Sequence, residues 1–123
     1  MIVDTSAVIA IVLREDNWNI LYERLLAEPE LSMSCGTLQE LLFVAHRKNI
    51  LAEVQNFLRD LVLNYIPVEE PHALKALELY QIYGKGSGHP AQLNFGDCFT
   101  LSTAILLGQP LLYAGRDFEQ ADF

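Results

Sequence analysis

Apolar residues recur along this chain in two alternating rhythms. Short β-like runs separate longer stretches with helical spacing. Ile2 and Val3 form the first run. The stretch from Thr5 to Leu13 then sets Ala7, Val8, Ile11 and Val12 on one helical face. Residues 17–27 read as an amphipathic helix with Ile20, Leu21, Leu25 and Leu26 apolar and Glu23 and Arg24 outward, closed by Pro29. Residues 31–35 read as a strand and residues 37–47 as a helix ended by Lys48 and Asn49. Residues 50–63 carry Leu51, Val54, Leu58 and Leu61 at helical spacing. Residues 65–68 read as a strand that must tolerate Pro67, which predicts a sheet edge. Pro71 suits the first turn of a helix running to about Tyr83. Residues 84–90 hold three glycines, Ser87 and Pro90, the composition of a flexible loop. A helix opened by Asp97 runs to Leu107, residues 111–113 form a last strand, and residues 115–118 a turn. Strands alternating with helices predict an α/β class: a parallel sheet between two helical layers. No linker or repeat interrupts the pattern, so residues 1–123 are expected to form a single domain.

Composition narrows the function classes. Of 123 residues, 51% are hydrophobic, which excludes disorder. The net charge is −8, which opposes nucleic-acid binding unless several acids converge on a divalent cation. Cys35 and Cys98 lack any zinc spacing and are expected to be buried free thiols. No apolar run reaches the ~18 residues of a membrane span, and the N-terminus lacks the basic start of a signal peptide. The expectation is a cytoplasmic protein with no membrane partner.

Four acids fall where strands give way to helices or turns. Asp4 follows the first strand, where the carboxyl edge of an open sheet binds ligands. As a helix N-cap it has an ordinary use, yet Thr5 and Ser6 would cap as well. Glu40 fits a capping box with Thr37, or else an apolar helix wall turns it inward, where it needs a cation. Asp97 opens an apolar helix, so it is expected in a cleft, although a helix dipole alone would favour an acid there. Asp117 lies in a turn, an ordinary place for aspartate. Asp122, near the C-terminus, carries little weight. In one pocket the four would repel one another, and a hard cation bound by carboxylate oxygens resolves that repulsion.

The segments from Met1 to Ala7, Leu93 to Cys98 and Leu111 to Phe118, with Glu40 between them, resemble the PIN-domain ribonucleases, and among them the VapC-type toxins of toxin–antitoxin pairs. The resemblance covers the whole chain. It implies a three-layer α/β/α domain with a parallel sheet of four to five strands. It implies an endoribonuclease that uses Mg²⁺ or Mn²⁺ on RNA such as tRNA or rRNA, a VapB-type antitoxin partner, and a homodimer. By position, Asp4, Glu40, Asp97 and Asp117 match the acidic quartet, as catalytic residues and metal ligands. Thr5 or Ser6 matches an orienting hydroxyl, and Asn94 supports the site. Ala114 stands where such toxins often carry Lys, so Lys85 and Arg116 become candidates for RNA contact. His89, in the glycine loop, is another. The amphipathic stretches 17–27 and 50–63 are candidates for an antitoxin groove.

Three rival readings follow from the same residues. They are a catalytically silent PIN-like binding module, an RNA-maturation nuclease outside a toxin–antitoxin pair, and a receiver-type signalling domain with acids around Mg²⁺. The last lacks an Asp after the strand at 65–68, where Glu69 and Glu70 stand.

Overall fold

Four parallel strands order the molecule. The computed structural model describes residues 1–121, so Asp122 lies outside the described residues. Strand β1 (Ile2–Val3) leads through helices α1 (Thr5–Leu13) and α2 (Trp18–Ala27) to β2 (Leu31–Ser34). Helices α3 (Cys35–Arg47) and α4 (Leu51–Asp60) lead to β3 (Leu63–Ile66). Helices α5 (Glu70–Tyr83) and α6 (Phe95–Leu107) then return the chain to β4 (Leu111–Leu112). The strand order is β3-β2-β1-β4. The chain therefore steps outward twice on one side of β1 and comes back on the other. The reversal falls between β1 and β4, where an open α/β sheet forms its ligand crevice.

Alternation along the strands divides the core in two. Val3, Met33 and Leu112 face a cluster built with α1 to α4 that includes Val8, Leu25, Leu41 and Val54. Ile2 and Leu111 face the opposite cluster, with Leu79, Leu93 and Leu101 from the α5–α6 side. The result is the expected α/β/α layering with four strands among the described residues. Ile2 pairs with Ser32 on one side and Leu111 on the other, and all three are buried.

Some boundaries differ from those the pattern predicts. Ser34, not Thr37, caps α3, its hydroxyl accepting from the Gly36 amide at 3.1 Å. Strand β3 begins at Leu63, because Leu31 to Ser34 pair with Leu63 to Ile66 in register. It is the edge strand, and Pro67 falls just beyond it, where a missing N–H breaks no ladder bond. The glycine loop is more tied down than its composition implies. Lys85 N donates to Leu93 O, Leu93 N to Tyr83 O, and Ser87 Oγ to Gly84 O at 2.6 Å. Gly86 and Gly88 supply the positive φ angles of 88° and 87° that let it turn. Cys98 is buried as expected, but Cys35 is exposed, because it opens α3 on the outer side of the turn. Among the described residues, no helix is long and apolar enough to cross a membrane.

Candidate active site

Asp4 ends β1 and caps α1, so one residue serves both uses that the sequence left open. Its Oδ2 accepts from the Ser6 amide at 3.0 Å and the Ser6 hydroxyl at 2.7 Å. Its Oδ1 accepts from the Thr100 hydroxyl at 2.6 Å, across the boundary to α6. The Thr37 and Thr100 hydroxyls lie 2.9 Å apart. Since Thr100 gives its proton to Asp4, Thr37 donates to Thr100, and a relay of two buried hydroxyls fixes the carboxylate. Ser6 Oγ also accepts from the Ala114 amide at 3.0 Å, which ties α1 to the segment after β4.

Asp97 is held by the start of its own helix. Asn94 caps α6, its Oδ1 accepting from the Asp97 amide at 2.9 Å, while Asp97 Oδ2 accepts from the Asn94 amide at 3.0 Å. This reciprocal capping box presents a buried carboxylate at the helix mouth. Asn94 thus supports the site through the backbone of α6.

Glu40 is not a cap. It lies in the second turn of α3, and Thr37 is wholly buried and engaged with Thr100. The Glu40 carboxylate turns inward and its Oε1 accepts from the Thr5 hydroxyl at 2.7 Å. Thr5 and Ser6 therefore orient two different carboxylates. Gly96 makes the approach possible, because a β-carbon there would land on Glu40 Oε2.

Asp4, Thr5, Ser6, Glu40 and Asp97 line one cleft of about 370 Å³, with Asp117, Ala114, Gly115 and Phe118 on the β4 side. Asp117 is the exposed member of the quartet. Glu15, just past α1, adds a fifth acid to the wall. Among the described residues, no Lys, Arg or His lines the cleft. The electrostatic consequence is plain at two residues. Burial pushes the Asp97 carboxyl up to about 6, against the hydrogen bond from the Asn94 backbone. Asp117, Asp4 and Glu40 raise it further. Burial also raises Glu40, countered by the Thr5 hydrogen bond, with Asp4 raising it and Arg47 lowering it.

A donor set of carboxylates, with no Cys or His in the lining among the described residues, suits a hard divalent cation better than zinc or copper. Among the described residues, no group of three or more His, Cys, Asp or Glu side chains is arranged to hold a metal by itself as the side chains stand. Mg²⁺ does not require such a cage, because it commonly takes one or two carboxylates and keeps several waters. The donor set therefore fits Mg²⁺ or Mn²⁺.

The three RNA-contact candidates are more scattered. Lys85 and His89 sit on the α5–α6 loop and do not line the cleft. His89 packs edge-on against Tyr83, 4.8 Å between ring centres, and its Nδ1 accepts from the Ala91 amide. Arg116 is exposed beside Asp117 in the chain. Sequence reasoning missed Thr100, Thr37, Glu15 and the role of Gly96. Thr100 was reachable, since it lies three residues after Asp97 on the same helical face. Thr37 and Glu15 gave no local signal, as Thr37 reaches Asp4 only through Thr100 and Glu15 joins the cleft wall only through tertiary packing.

A model of the PIN domain matches residues 1–123. The chain belongs to the PIN-domain family. Within that family its relatives are VapC ribonucleases. It is 39% identical to Ribonuclease VapC42 of Mycobacterium tuberculosis, over 99% of this chain and 95% of that protein. It is 36% identical to Ribonuclease VapC28 of the same species, over 96% of this chain and 91% of that protein. A VapC ribonuclease of Rhizobium meliloti is 32% identical, over 98% of this chain and 96% of its own length. Among solved structures, VapC20 of M. tuberculosis, described as a sarcin–ricin-loop-cleaving toxin, superposes with a TM-score of 0.75 at 19% identity. That match covers 99% of this chain and 95% of VapC20. A toxin–antitoxin complex from Klebsiella pneumoniae gives 0.71 at 21% identity, over 95% of this chain and 88% of that one. These two show the PIN fold. Membership of the PIN family removes the receiver-type reading.

Proposed function

We propose that this chain is a VapC-type endoribonuclease toxin that hydrolyses RNA phosphodiester bonds in the acidic cleft with Mg²⁺ or Mn²⁺. The observation that carries the reading is the convergence of Asp4, Glu40, Asp97 and Asp117 on one cleft that no cationic side chain lines among the described residues, in a chain whose relatives are VapC ribonucleases. Asp4 and Asp97 would hold the cation, with Asp117 completing the rim. When bound, the cation supplies Lewis acidity toward water and the scissile phosphate.

The chain's own residues do the rest. The Thr37–Thr100 relay and Ser6 keep both oxygens of Asp4 oriented. Asn94 fixes Asp97 at the mouth of α6. Glu40, made more basic by burial and steadied by Thr5, takes a proton from the attacking water at Oε2. Arg116 and Lys85 contact RNA outside the cleft, and His89 acts by holding the loop that carries Lys85.

An antitoxin is expected to inhibit by covering the α2–α4 face. There Leu21, Leu25, Val54 and Leu58 are in the core, whereas Ile20 and Leu26 stay exposed. The Trp18, Tyr22 and Phe57 rings link the two helices, with centres 6.4 Å and 6.3 Å apart. A homodimer is expected to use the exposed Leu74 and Leu77 of α5. Cleavage of bacterial RNA by purified protein tests the reading. Discrete fragments should form with Mg²⁺ and vanish with EDTA or in Asp4→Asn. Equal cleavage by Asp4→Asn would overturn it.

A further inference from the structure

A second hollow, of about 380 Å³, adjoins the acidic cleft, and Glu40 belongs to the walls of both. Its other side chains include Gln39, Phe43, Arg47, Phe95 and Phe99. Two of the rings are placed where the core does not want them: Phe43 is 62% exposed and Phe95 78%. Neither is loose. Phe95 is the first residue of α6, two positions before Asp97, and it meets the edge of Phe99 with centres 4.9 Å apart. Phe99 in turn lies tight over Gly36, where a β-carbon would strike its ring. Glu40, Phe43 and Arg47 follow one another at helical spacing along α3, a line of about 10 Å.

We propose that Phe43, Phe95 and Arg47 form a nucleotide subsite in which an unpaired RNA base next to the scissile phosphate stacks on the rings while Arg47 neutralises a neighbouring phosphate. This rests on the nuclease reading for its substrate. Two features of the hollow favour RNA over protein. It adjoins the cleft across Glu40, so a strand whose phosphate reaches the acids can lay a neighbouring nucleotide in it. It also holds Arg47, the single basic side chain in either hollow among the described residues, in a chain with net charge −8. Among the described residues Arg47 makes no ion pair within 4 Å and acts on Glu40 only through its field, so its guanidinium can still take a phosphate. Aromatic rings bind bases of any sequence through their faces, and a guanidinium beside them is the usual complement for a single strand.

The test is the affinity of a fluorescein-labelled, unstructured RNA decamer for the full chain in Mg²⁺, measured in the Asp97→Asn background so that the RNA survives. Phe43→Ala and Phe95→Ala should each weaken binding about tenfold or more, as loss of a stacking ring does. Phe95→Trp should restore it, and Arg47→Ala should weaken binding and flatten its salt dependence. Both rings are exposed, so thermal melting should show the variants folded. Absence of binding, or unchanged affinity in the two alanine variants, would overturn the subsite. A dimer that falls to monomers in Phe95→Ala would also overturn it, identifying the face as a contact between two copies. Cleavage by the unmutated chain is assayed in parallel. Binding without cleavage sinks the nuclease reading and leaves the subsite, whereas cleavage with unchanged affinity sinks the subsite alone.

Discussion

The raised carboxyl of Asp97 makes a stability prediction opposite to that of an ordinary salt-bridged aspartate. In the folded, metal-free chain it titrates at about 6, whereas the unfolded chain releases that proton near 3.8. Between those values the folded state binds more protons, so stability falls as pH rises and the loss is complete above about 6. The raised Glu40 acts in the same direction. Thermal melting in EDTA should therefore show a Tm that declines from pH 4 to pH 7, with Mg²⁺ restoring much of the loss at pH 7. Asp97→Asn should raise the metal-free Tm at pH 7 by about 3 °C or more while abolishing cleavage. A Tm that rose with pH in EDTA would contradict the crowding of acids. The hydroxyl relay makes a second prediction at this scale. Thr100→Val strips Asp4 Oδ1 of its donor and leaves the buried Thr37 hydroxyl without its acceptor. It should cost about 1–3 kcal/mol in chemical denaturation and slow cleavage, and Thr100→Ser should recover most of both. The acids themselves were legible in the sequence, because carboxylates beside apolar runs are conspicuous. The threonines that hold them were not, since a buried hydroxyl looks the same on the page as one in solvent.

Among the elements, the crossing of α3 and α6 decides whether the site closes. Two glycines permit it: Gly36 lies under Phe99, and Gly96 under the Glu40 carboxylate. The Gly96 neighbour is the far end of a flexible side chain, so Gly96→Ala should leave the fold nearly as stable, within about 1 kcal/mol. It should displace Glu40 from Thr5 and lower the cleavage rate about tenfold or more. Unchanged cleavage by folded Gly96→Ala would show that Glu40 is not needed where it stands. The existence of every helix could be read from periodicity, and so could the edge position of β3 from Pro67. The start of α3 could not. Thr37 and Glu40 imitate a capping box, and only the burial of Thr37 against Thr100 reveals that Ser34 is the cap. The hydrogen bonds that tie the glycine loop, between residues as far apart as Lys85 and Leu93, likewise leave no mark on local composition.

At the scale of the whole molecule, the strand order brings the distant acids together. Reversal between β1 and β4 sets Asp4 just after one strand beside the turn after its neighbour that carries Asp117, and α3 and α6 deliver Glu40 and Asp97 to the same edge. The layered α/β class follows from alternation alone, but the order of strands does not, and the site depends on that order. A chain with 16 acidic and eight basic residues has little general attraction for RNA. On the proposed reading, an RNA substrate would be held by a cation bound to the cleft acids and by local contacts around it. The most direct measurement is cleavage of total bacterial RNA by the purified chain in Mg²⁺ and in EDTA, with Asp97→Asn in parallel. The account predicts discrete fragments from the unmutated chain in Mg²⁺ alone. Equal fragments from Asp97→Asn, or fragments in EDTA, would contradict it.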